Sequence, residues 1–142
     1  MNVKNIHIGT YIKKLYEERN IPIDRVCNFM KCEEEDILEM FQYKTLDTDR
    51  LLRWCKLLEY DFFRLYSQHL ILYTSKKHFV NKSTSKNNQV PQFKKNIYTK
   101  EIIDYLLELI RTNQKTVTEI IKEYKIPKTT IYRWIQKYPT NS

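Results

Sequence analysis

The chain has 142 residues, with 25 Lys/Arg against 17 Asp/Glu, a net charge of +8, 1 Gly and 4 Pro. That length holds one ordinary domain or two small ones. Tight-hairpin dipeptides are absent, no apolar run reaches the length of a membrane span, and apolar residues recur at helical spacing, so an all-α, non-membrane protein is expected.

Residues 1–5 read as a lead-in. Ile8, Ile12 and Leu15, with Tyr11, predict a first helix from about Ile8 to Arg19, stopped at Asn20. Pro22 pre-sets a second helix, Ile23–Met30, with Val26, Cys27 and Met30 inward. After a break at Lys31-Cys32, a third helix runs from Glu33 to about Phe41, with Ile37 and Met40 inward. Residues 45–48 supply N-caps for a fourth helix, about Asp49–Leu58, whose core side would be Leu51, Leu52, Cys55 and Leu58. Asp61 can cap a fifth, Phe62 to about Tyr73.

Over roughly residues 8–66 this order resembles the phage repressor/Cro-like (XRE) family. The matching residues are Ile8, Ile12, Lys13, Leu15, Glu17, Glu18 and Arg19; then Val26, Cys27, Met30 and Cys32; then Leu52, Cys55 and Leu58. The resemblance implies a five-helix domain in which Glu33–Phe41 would be the reading helix. That segment departs from a DNA reader: Glu33, Glu34, Glu35, Asp36 and Glu39 are acidic, and duplex affinity is driven by cations. One or two acids are explained by the helix dipole. Ile23 also stands where the family often has a polar, DNA-contacting Gln. The domain is therefore expected to keep the fold without reading DNA.

The fifth helix suggests another role. Phe62, Leu65, Tyr66, Leu70 and Tyr73 place apolar groups on more than one face, so a homodimer or a protein partner docking through residues 1–73 is expected there. The alternative is a helix that closes its own domain's core. Residues 74–97 then change character, with Ser, Thr, Asn, Gln and Lys dominant and no acid, which reads as a basic flexible linker. Its Lys76, Lys77, Lys82, Lys86, Lys94 and Lys95 are candidates to track phosphate or a minor groove; the alternative is a merely soluble basic spacer.

Residues 98–142 form the last module. Thr99 caps a helix from Lys100 to about Thr112, with Ile102, Ile103, Leu106, Leu107 and Ile110 inward. A turn at Asn113–Lys115 leads to two short apolar-periodic runs: Val117, Ile120, Ile121, Tyr124, and then Ile131, Trp134, Ile135. Only Lys125-Ile126-Pro127 separates them, which makes a helix-turn-helix with the second helix directed at a major groove. Lys128, Thr129, Thr130, Arg133 and Gln136 are the candidate base readers, with Arg suited to guanine and Gln to adenine. Thr116, Tyr132, Lys137, Lys94 and Lys95 are the candidate phosphate contacts, and Lys128, at the start of the helix, suits a phosphate as well as a base edge. The alternative is a solvated basic face.

These residues resemble the homeodomain-like helix-turn-helix of insertion-sequence transposase proteins, through Thr116, Glu119, Ile120, Glu123, Tyr124, Ile126, Pro127, Thr129, Thr130, Ile131, Tyr132, Arg133 and Trp134. Ile121 replaces the usual Ala and Lys125 the usual Gly of the turn. Lys125 must then adopt a positive φ, at a cost of about 1 kcal/mol.

Charge divides along the chain: residues 1–73 carry 11 Lys/Arg against 12 Asp/Glu, and residues 74–142 carry 14 against 5. A polyanion bound by the second half follows. Cys27, Cys32 and Cys55 form no C-x-x-C, and no signal peptide precedes them, so free thiols in a reducing cytoplasm and no metal are expected. Cys27 and Cys55 read as small core residues. No phosphate loop, metalloprotease motif or convergent carboxylate set occurs, so no catalysis and no cofactor are expected. The combined expectation is a sequence-preferring double-stranded DNA-binding protein, a transcriptional regulator or the DNA-recognition accessory of a mobile element. The alternative is a protein-interaction adaptor whose basic tail holds nucleic acid nonspecifically.

Overall fold

Helical periodicity carries through to the computed structural model, which describes residues 3–74, 90–91 and 97–139. Among them are eight α-helices and no strand. The helices are α1 (Ile8–Arg19), α2 (Ile23–Met30), α3 (Glu34–Met40), α4 (Thr48–Leu58), α5 (Phe63–Tyr73), α6 (Lys100–Arg111), α7 (Val117–Tyr124) and α8 (Lys128–Lys137). None is long and apolar enough to cross a membrane. Contacts divide the chain into two compact units, residues 2–67 and 68–142. The division falls inside α5, ahead of the boundary expected at Tyr73.

In the first unit, α1 to α4 and the start of α5 enclose one core. Ile8, Ile12, Val26, Ile37, Trp54, Leu58 and Phe62 are its most completely buried side chains. Trp54 sits at its centre, with Nε1 donating to Met40 Sδ at 3.3 Å and its ring 5.9 Å from that of Phe41. This corrects the expected face of α4. Leu51, Trp54 and Leu58 share one stripe at helical spacing, whereas Leu52, one residue further round the helix, is exposed. Cys27 and Cys55 are half-buried rather than core. Cys55 Sγ accepts from Phe62 N at 3.4 Å, which ties the end of α4 to the start of α5.

Two of the residues expected to mediate oligomerisation are core residues. Phe62 and Leu65 are buried inside the first unit, so they cannot also present a docking surface. Tyr66 is half-buried, and Leu70 and Tyr73 are exposed.

The helix ends show why so little glycine suffices. Asn20, Lys31, Glu59, Asn113 and Lys125 all take the left-handed conformation, and none is Gly. The sole glycine, Gly9, lies inside α1 instead. A Cβ there would meet the backbone carbonyl oxygens of Met40 and Phe41 at 2.5 Å. Backbone bonds from Ile8 N to Lys44 O and from Gly9 N to Tyr43 O pin α1 to the segment after α3.

In the second unit, α6, α7 and α8 bury Ile102, Leu106, Ile120, Ile126, Ile131 and Trp134. The last turns of α5 belong here too. Ile71 and Leu72 pack, partly buried, against this core. Gln68 is buried; its Nε2 donates to Ile97 O and its Oε1 accepts from Thr99 Oγ1, both at 3.3 Å. A module beginning at residue 98 would therefore lack part of its own packing. Lys76, Lys77, Lys82, Lys86, Lys94 and Lys95 lie outside the described residues.

Candidate nucleic-acid interface

The candidate interface comprises α7, a three-residue turn and α8. Thr116 caps α7 reciprocally with Glu119. Glu119 N donates to Thr116 Oγ1 at 3.2 Å, and Thr116 N donates to Glu119 Oε2 at 2.7 Å. This gives Thr116, proposed above as a phosphate contact, a local structural task beside a carboxylate.

Lys125 ends α7 with φ 53°, the positive value expected where the transposase modules have Gly. Ile126 is buried, a core position that helical spacing cannot reveal because it lies between the two periodic runs. Pro127 then opens α8, its carbonyl accepting from Thr130 N and Ile131 N at 3.0 and 3.2 Å. The proline's fixed φ suits this position, where no amide donor is needed.

The sequence of α8, KTTIYRWIQK, splits the helix lengthwise. Ile131 and Trp134 are buried and Ile135 and Thr130 are half-buried. Trp134 meets the ring of Tyr98 edge-on at 5.1 Å. Lys128, Thr129, Tyr132, Arg133, Gln136 and Lys137 are exposed. At helical pitch these six cover roughly half of the helix circumference. Four of the five candidate base readers thus share one open face, and Thr130 lies at its edge. Tyr132 and Lys137, proposed for phosphate, are on the same face. The Lys128 ammonium stands 5.7 Å from the Tyr132 ring centre, and that of Lys137 stands 5.5 Å from Tyr138.

The electrostatics favour an anion. No acidic residue lies on α8, and both acids of α7 are engaged locally. Glu119 completes the cap, and Glu123 is ion-paired with Lys115. That pairing is the main cause that raises the Lys115 pKa. Burial raises the pKa of Tyr124, whose ring lies 5.4 Å from the same ammonium. Exposed Lys122 and Lys125 add cations at the end of α7. Their three-residue spacing with Lys128 was a legible signal that apolar periodicity does not capture.

The corresponding surface of the first unit is opposite in sign. Helix α3, EEDILEM, has no cation, and Glu34, Glu35, Asp36 and Glu39 are exposed along with Leu38. Two of the acids act locally. Asp36 Oδ2 accepts from Glu33 N at 3.0 Å, and Glu39 Oε2 accepts from Tyr43 OH at 3.1 Å, which raises the Tyr43 pKa. Glu34 and Glu35 remain as charges near the helix N-terminus.

No family model matches the chain, and no curated protein or solved structure matches it significantly.

Proposed function

We propose that the protein binds double-stranded DNA with a sequence preference, through a helix-turn-helix formed by α7 and α8, as a transcriptional regulator or as the DNA-recognition accessory of a mobile element. The observation that carries this reading is the open, acid-free face of α8, with Lys128, Thr129, Tyr132, Arg133, Gln136 and Lys137 exposed together. Arg and Gln pair bidentately with guanine and adenine in the major groove, and lysines hold phosphates. The choice of the mobile-element role rests on the transposase resemblance alone, an analogy of fold rather than of site.

In this reading the first unit keeps a repressor-like arrangement but stays off the duplex, because α3 would bring carboxylates to phosphates. Self-association or partner docking would rest on Leu70 and Tyr73, exposed residues of α5 that belong to the second unit, rather than on Phe62 and Leu65, which are buried in the first. Light scattering on the full chain at tens of micromolar tests the dimer, and a monomer there removes it.

Selection of bound duplexes from a random pool tests the main reading. A motif is expected. Arg133→Ala should then weaken the selected site by about 1–3 kcal/mol and relax one position, while Lys128→Ala should weaken all sequences alike. Sequence-blind retention by a basic tail would instead favour the adaptor.

A further inference from the structure

Tyr132 is the one large aromatic on the open face of α8, and it is 45% exposed in the midst of polar and cationic neighbours. A phosphate contact would use only its hydroxyl and leave the ring in water. Lys128, one turn earlier, sets its ammonium 5.7 Å from the ring centre, a weak cation–π contact along the same row. Gln136 follows one turn later along the same row. Ile131 and Trp134 anchor the helix behind it.

A major groove presents one apolar group, the C5-methyl of a pyrimidine. We infer that the ring of Tyr132 reads a 5-methylpyrimidine, thymine in unmodified DNA, in the major groove, which makes Tyr132 a specificity residue rather than a phosphate contact. This inference rests on the DNA-binding reading of α8. The spacing adds a constraint. Four residues of helix advance about 6 Å, close to two base-pair steps of about 3.4 Å. The methyl-bearing base should lie within about two steps of the base pair that Gln136 contacts.

The test uses the full chain and the duplex selected from the random pool. Each thymine within two steps of the Gln136-dependent position is replaced in turn by uracil, which removes only the methyl. One such replacement should weaken wild-type binding about fourfold, the worth of one buried methyl group. A 5-methylcytosine placed there, with guanine opposite, should bind more tightly than cytosine by a similar factor. Tyr132→Ala should bind the thymine and uracil duplexes equally. Tyr132→Phe should keep the wild-type discrimination, because the ring is retained.

Indifference of the wild type to every uracil replacement would overturn the inference while leaving DNA binding intact. So would a Tyr132→Phe variant that behaves like Tyr132→Ala, since the hydroxyl would then be the contact. Failure to enrich any duplex would remove the parent reading and this one together, and is recognised by equal retention of random and selected DNA.

Discussion

At the scale of single residues, two positions carry backbone constraints that side-chain chemistry does not announce. Gly9 lies where α1 touches the carbonyls of Met40 and Phe41, and a methyl group placed there would be 2.5 Å from both oxygens. These are backbone atoms and cannot rotate away. Gly9→Ala is therefore expected to destabilise the first unit by about 1–3 kcal/mol, despite alanine's better helix propensity. Denaturant unfolding followed at Trp54, the buried tryptophan of that unit, measures this. Lys125 is the reverse case. Its φ of 53° suits glycine, so Lys125→Gly should stabilise the second unit by about 0.5–1 kcal/mol. A fall in its melting temperature would show that the lysine side chain contributes more than the strain costs. The same variant removes one exposed cation, so DNA affinity should fall slightly as stability rises.

At the scale of elements, α5 is the informative helix. Its first turns bury Leu65 in one core, and its last turns lay Ile71 and Leu72 on the other. An apolar helix with more than one covered face explains the residue pattern of Phe62–Tyr73 without requiring a partner for all of it. Gln68 marks the change of core. Its amide is buried and bonded to Ile97 and Thr99, so Gln68→Ala should cost about 1–3 kcal/mol in the second unit. Single-tryptophan variants separate the responses, because Trp54 reports the first unit and Trp134 the second. Equal loss at both tryptophans would mean that the two cores unfold as one.

At the scale of the whole molecule, charge is divided as the cores are. Residues 68–73, QHLILY, carry no Lys, Arg, Asp or Glu, so moving the boundary from Tyr73 to Ser67 leaves the imbalance unchanged. The exposed cations from α7 onward are Lys122, Lys125, Lys128, Arg133 and Lys137. If these neutralise phosphates, log K should fall with log salt at a slope of about −4 to −5, and Lys128→Ala should lower its magnitude by about 1. A much steeper slope would bring in the lysines between residues 76 and 95. A slope near zero would remove duplex DNA as the ligand.

Helical class, the ends of most helices and the polarity of α8 were legible in the sequence, because each depends on neighbours within a turn or two of chain; the left-handed Lys125 was expected only from the transposase resemblance, which has Gly there. Four features were not: the burial of Trp54 rather than Leu52 in the first core, the burial of Ile126 between two periodic runs, the close approach at Gly9, and the passage of α5 from one core to the other. Each of these depends on which distant segment lies opposite. Periodicity says that a stripe is covered, but not by what. Only the tertiary structure decides how much of an apolar helix remains exposed, and here it covers Phe62 and Leu65 and leaves the face of α8 open.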